Sequence, residues 1–142
     1  MAEALPGIEK LKSKIGVGWE PREYPIEREM VRRFARAVGD TNPKWQDGMI
    51  VPPTFVLAIG FEQFVDDLLA IVSFNTVLMA GTELECYRPI KTGDVITTVF
   101  KISNLREREG ETGRMAFMTF DSTCKNQRRE LVAKCRQMVI GY

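Results

Sequence analysis

Apolar residues recur along this chain with two different periods, and the change of period divides it into a helical first half and a stranded second half. In residues 6–15, Ile8, Leu11 and Ile15 share one helical face with lysines opposite. This predicts a short amphipathic helix stopped by Gly16 and Gly18. Residues 19–24 contain Pro21 and run into Pro25, so they suit an edge strand at most. From Ile26 the spacing Ile26, Met30, Phe34, Val38, with Val31 and Ala35 beside it, predicts a helix to about Val38 with that stripe buried. Glu27 and Glu29 favour its positive end. Gly39 tolerates the left-handed conformation of a helix C-terminus, and Pro43 stops the helix from resuming. A polar, turn-rich loop follows over residues 40–50, with Asp47 and Gly48 as its second turn signal.

Residues 53–69 are apolar almost all round, and Pro53 is acceptable in a first helical turn. A helix of that kind must be covered on most sides. Four segments able to do the covering come next: 81–88, 94–104, 114–124 and 129–140, separated by 89–93, a charged loop at 106–113 and 125–127. In the second, Ile96, Thr98, Phe100 and Ile102 alternate with Val95, Thr97, Val99 and Lys101; in the last, Leu131, Ala133, Cys135 and Val139 share one side. Connections this short favour antiparallel neighbours, and helices followed by strands give an α+β class. With no repeat, linker or low-complexity segment, the expectation is one domain over residues 1–142, residues 1–18 forming an N-terminal helical extension.

Composition narrows the function classes. Twenty Lys and Arg balance nineteen Asp and Glu, which removes the electrostatic case for nucleic acid or an anionic membrane. The apolar run 49–80 is interrupted by Glu62, Gln63, Asp66 and Asp67, so it fails as a membrane span. The first residues lack the apolar core of a signal peptide, and a cytoplasmic location is expected. Cys86, Cys124 and Cys135 lack metal-ligand spacing and read as buried reduced thiols. There is no Gly-x-Ser-x-Gly elbow, no phosphate-binding glycine loop, and no histidine anywhere in the chain. No metal and no cofactor are expected.

Three stretches carry a family resemblance: Gly39-Asp40-Thr41-Asn42-Pro43, Val51-Pro52-Pro53-Thr54-Phe55, and Gly81 through Asp94 with Tyr87-Arg88-Pro89 inside it. In this order and spacing they resemble the MaoC-like, R-specific enoyl-CoA hydratases and dehydratases. The resemblance spans nearly the whole chain and implies the hot-dog fold, a long central helix wrapped by an antiparallel sheet. It also implies a coenzyme A or carrier-protein thioester as substrate, with an Asp and a His activating water between them. Carried over by position, Asp40 and Asn42 are retained and the His position is occupied by Trp45. An indole N–H donates but accepts no proton near neutral pH, so the substitution removes the acid/base function. Pro53 and Thr54 stand where the family has His-Gly at the helix start.

The resemblance therefore implies a degenerate member, the non-catalytic and channel-forming subunit of a hetero-oligomeric hydratase or dehydratase. Its partner would be a MaoC-like subunit with intact Asp and His, and alone it would form a homodimer. The catalytic set is incomplete, with Asp40 and Asn42 as remnants; the expected substrate-binding residues are Trp45, Pro53, Thr54 and Phe55. Asp40 and Asn42 also fit a purely structural role, since such side chains past a helix end fix turns. Trp45 fits a packing role on a pocket wall. Two other functions stay open: a thioesterase using Glu62 or Asp66 of the central helix, or a non-enzymatic acyl-CoA-binding module. Residues 114–124 are apolar on both faces, Met115 and Phe117 alternating with Ala116, Met118 and Phe120. One such face should be polar in a solvated monomer, which predicts a dimer-like unit.

Overall fold

The computed structural model describes residues 3–111 and 113–142. Met1 and Ala2 of the expected N-terminal extension, and Thr112 of the expected charged loop, lie outside the described residues. Five strands form one antiparallel sheet in the order β1-β3-β4-β5-β2, with β1 Arg22–Pro25, β2 Val77–Cys86, β3 Val95–Gly110, β4 Gly113–Lys125 and β5 Leu131–Gly141. The helices are α1 Ile8–Lys12, α2 Arg28–Ala37, α3 Pro43–Gln46 and α4 Phe61–Leu69, with a 3-10 helix at Pro53–Ala58. This is the α+β hot-dog arrangement.

Alternation along the strands sets which face is buried. Ile96, Thr98, Phe100 and Ile102 of β3 and Ala116, Met118, Phe120, Ser122 and Cys124 of β4 all turn inward. Phe64 of α4 packs against them, its ring stacked 4.4 Å from Phe100 and tilted against Phe120 at 4.7 Å. Burying such a ring contributes roughly 2–3 kcal/mol. Ile8 and Leu11 of α1 close the same end of the core. A second cluster forms under the 3-10 helix, where Phe55 and Val56 meet Val31, Ile90, Ile96, Val132 and Ala133.

The expected continuous helix over 53–69 is in fact two helices. Gly60 adopts φ 75° between them, and a Cβ placed on it would lie 2.9 Å from the Tyr24 ring. The chain bends here so that Tyr24 of the edge strand can pack against bare backbone, a contact no apolar period reveals. The N-terminal helix is likewise shorter than expected, five residues in place of ten. Its end turns into the sheet, Gly16 N–H donating to Ile102 O at 2.8 Å and Trp19 N–H to Phe100 O at 2.8 Å.

Helix α2 sits where expected but is rotated. Val31 and Ala35 are buried, whereas Met30 and Val38 of the expected stripe are 37% and 56% exposed. Val31 packs into the second core cluster with residues of the 3-10 helix, so it and Ala35 face inward in place of the stripe. The strands also run longer than expected: residues 106–110 of the charged loop belong to β3, and β2 starts at Val77. Arg–Glu alternation at 106–109 leaves one side for solvent and turns Glu107 inward to Lys12 and Arg114. Finally, β4 is flanked by β3 and β5 and is no edge. Its outward Met115 and Phe117 are half-buried, with the Arg108 guanidinium 5.6 Å over the Phe117 ring. The open edge that carries exposed apolar residues is β2, with Val77, Leu78 and Met79 at 42–50% exposure. No helix among the described residues is long and apolar enough to cross a membrane.

Candidate functional site

The segment from Gly39 to Gly48 is built almost entirely from backbone satisfaction. At the end of α2, Gly39 takes φ 70°, with Asp40 N–H donating to Ala35 O at 2.9 Å and Gly39 N–H to Arg36 O at 3.1 Å. These two bonds close the helix as a Schellman motif. Asp40 Oδ1 then accepts Asn42 N–H at 2.9 Å, and Asn42 Oδ1 accepts Lys44 N–H at 3.0 Å, capping α3. Pro43 occupies the first turn of α3, where its missing N–H leaves nothing unsatisfied. Gln46 Nε2 returns to Asp40 O at 2.7 Å. Asp40 Oδ1, Asn42 Oδ1 and Gln46 Nε2 are thus all turned toward the turn itself.

That turn places Trp45 on the wall of a pocket that Pro53, at the start of the 3-10 helix, also lines. Together with Pro53, Val56, Ile90, Val132 and Cys86 it bounds a pocket of about 470 Å3. The wall is apolar, and the Trp45 Nε1 is buried with no hydrogen-bond partner among the described residues. Lys44, Tyr87 and Arg88 complete the lining. Antiparallel bonding supplies the frame: Val51 N–H donates to Ile90 O at 3.0 Å and Tyr87 N–H to Val132 O at 2.8 Å.

The titratable groups on this wall share one property. Partial desolvation against the pocket wall pushes the Cys86 thiol up from its ordinary value, although the residue stays exposed at the sheet edge. Tyr87 donates its hydroxyl to the Glu85 carboxylate, and this bond, with some burial, holds its proton on. Arg88 lies 3.0 Å from Glu130, whose carboxyl is held below the ordinary value chiefly by the bond from Arg128 Nε at 2.8 Å. Among the described residues the pocket wall therefore offers two cationic side chains and two neutral acids, and no group able to take a proton near neutral pH.

Of the residues marked in the sequence, the structure brings Trp45 and Pro53 together on this wall. Thr54 is exposed and off it, and Phe55 is buried in the second core cluster, its ring edge-on to Phe34 at 5.2 Å. Asp40 and Asn42 lie in the turn behind the wall. Glu62 and Asp66 line a different groove, and Asp67 pairs with Arg22 at 2.8 Å. Cys124 and Cys135 are buried and free as expected, while Cys86 is exposed, because its strand is the open edge. Lys44, Cys86, Tyr87, Arg88 and Val132 were not singled out for this pocket. Tyr87 and Arg88 stood in the sequence only within the stretch Gly81 through Asp94 that carries the family resemblance.

Comparison with known proteins agrees with the geometry. A family model for the FAS1-like dehydratase domain region matches residues 13–135. The UPF0336 protein of Streptomyces avermitilis is 32% identical over 113 residues, covering 70% of this chain and 75% of that one. A probable enoyl-CoA hydratase alpha subunit of Thermomonospora curvata is 26% identical over 152 residues, covering 87% of this chain and 47% of that one. Among solved structures, the C-terminally truncated HadBC (3R-hydroxyacyl-ACP dehydratase) complex of Mycobacterium tuberculosis overlays with a TM-score of 0.75. Its identity is 23%, with 90% of this chain and 97% of the other covered.

Proposed function

Because the chain belongs to the FAS1-like dehydratase domain region family of MaoC-like hot-dog proteins, we propose that it is the non-catalytic, channel-forming subunit of a hetero-oligomeric enoyl-CoA hydratase or 3-hydroxyacyl-thioester dehydratase. The observation that carries this reading is the pocket wall without a proton acceptor. Adding water across an enoyl thioester requires a base to take a proton from that water and an acid to deliver one to carbon. Here the His position is Trp45, Asp40 is committed to the Asn42 backbone, and Cys86 and Tyr87 hold their protons. What remains is an apolar cavity suited to an acyl chain, with Lys44 and Arg88 lining it to meet anionic parts of a thioester carrier.

The partner in this reading is a second hot-dog subunit with intact Asp and His. Support comes from the two-subunit complex among the structural neighbours and from the relative named as an alpha subunit. The open β2 edge, with exposed Val77, Leu78 and Met79, offers unpaired backbone and apolar area for a strand of that subunit. Cys86, Tyr87 and Arg88 follow along the same edge, so strand pairing there sets this pocket beside the partner's site. No cofactor is needed beyond the thioester substrate. The thioesterase alternative is less well supported, since Glu62 and Asp66 are off the pocket wall. Coexpression with Asp/His-bearing hot-dog subunits of the native cell tests the reading: one of them should copurify in a stable complex, and Met79→Lys on the β2 edge should abolish that capture. Capture of none contradicts it.

A further inference from the structure

The turn between β4 and β5 holds a carboxylate in place before any ligand arrives. Asn126 is buried and fully engaged there: its Oδ1 accepts Arg128 N–H and Glu130 N–H, both at 3.0 Å, and its Nδ2 donates to Glu130 Oε1 at 3.1 Å. Backbone bonds close the same turn, Asn126 N–H donating to Glu130 O at 3.0 Å and Arg129 N–H to Asn126 O at 2.9 Å. Arg128 Nε adds a second donor to Glu130 Oε1 at 2.8 Å. Oε2 is left for Arg88, whose Nη1 lies 3.0 Å away.

A lone exposed ion pair contributes little, because two long side chains must be ordered to make it. This carboxylate is ordered already. The backbone of Arg88 is fixed beside it too, since the N–H groups of Tyr87 and Arg88 both donate to Val132 O, two residues past Glu130. Arg88 is exposed, lines the 470 Å3 pocket, and has Glu130 as its one ion-pair partner among the described residues. With Nη1 engaged, its Nε–Nη2 edge stays open, and such an edge matches two oxygens of a phosphate.

We propose that Glu130 is a positioning residue, holding Arg88 at the pocket rim to receive a phosphate of the thioester's carrier. The assignment rests on the reading that this pocket takes an acyl thioester. A pantetheine arm is itself uncharged, and a phosphate terminates it in coenzyme A and on a carrier protein alike. A guanidinium already anchored by Glu130 meets that phosphate without first losing the freedom of a long side chain.

Calorimetric titration of the full chain with three saturated thioesters of one acyl group tests this. They are acyl-CoA, acyl-phosphopantetheine with a single terminal phosphate, and acyl-pantetheine with none. Glu130→Asp keeps the charge near the pocket but withdraws the carboxylate by one methylene. It should weaken phosphate-bearing ligand about tenfold, the loss of one charge-assisted hydrogen bond. Acyl-pantetheine should bind as to wild type, which also reports that the pocket is folded. Weakening of acyl-phosphopantetheine together with acyl-CoA assigns the phosphate that ends the arm; weakening of acyl-CoA alone assigns those of the nucleotide. In an Arg88→Ala background, Glu130→Asp should cost nothing further, as a residue acting through Arg88 requires. Glu130→Asp without effect, an equal loss for all three ligands, or a further loss in the Arg88→Ala background overturns the assignment alone. Failure of all three to bind wild type removes the thioester reading of the pocket and this assignment with it.

Discussion

Asp40 Oδ1 accepts the backbone N–H of Asn42 at 2.9 Å, so the carboxylate that the family signature marks for chemistry is spent on a turn. An amide can make the same bond. Asp40→Asn should therefore leave stability within about 0.5 kcal/mol of wild type, while Asp40→Ala should lose about 1 kcal/mol. Asn42→Ala removes the cap of α3 and should also lose about 1 kcal/mol. Urea unfolding of the three variants checks the pattern.

Gly60 is the hinge between the 3-10 helix and α4, with φ 75° and the Tyr24 ring where a Cβ would sit. Left-handed backbone alone costs an alanine about 1–2 kcal/mol. Gly60→Ala should exceed that, since Tyr24 or the backbone must also move. The same substitution at Gly39, where nothing lies within 4 Å of the added Cβ, should show the backbone cost without the clash. Thermal unfolding of the pair separates the two contributions.

Burial pushes the Cys135 thiol from 9.0 up to about 11. A group whose folded value is raised binds its proton more tightly in the folded state. Its contribution is complete below pH 9 and is lost as pH rises from about 9 to about 11. That span amounts to roughly 2–3 kcal/mol. Unfolding free energy measured at pH 8 and pH 10.5 should fall for wild type and fall less for Cys135→Ala.

Strand β3 was legible in the sequence because its inward face alternates from Ile96 to Ile102, and the turn at 39–43 was legible because Gly, Asp, Asn and Pro each have local reasons to be there. Rotation of α2 was not, since Met30 and Val31 are both apolar and only the tertiary fit decides which turns inward. The break at Gly60 escaped for a related reason: its cause is Tyr24, thirty-six residues earlier. The pocket was half legible. Trp45 and Pro53 stand out locally, but Val132 and Arg88 reach the wall through strand register, which no single segment encodes.

Pocket occupancy can be read through the indole itself. A saturated acyl-CoA, unable to react, should quench Trp45 fluorescence on binding in a Trp19→Phe background. Val56→Phe, which narrows the cavity without adding a second indole, should weaken that binding, with circular dichroism and Tm reporting on the fold around this core position. Arg88→Glu should weaken it too, with less effect at high salt, because screening removes much of a charge contribution of this kind.

The central claim is that this chain shapes a thioester site without performing the proton transfers. Hydration of crotonyl-CoA, followed by loss of enoyl absorbance, tests it most directly when the chain is assayed alone, its Asp/His-bearing partner alone, and the two together. The account predicts no turnover above background for the chain alone, and turnover by the complex that exceeds the partner's own and falls with Val56→Phe. Robust turnover by the homogeneous chain would contradict it.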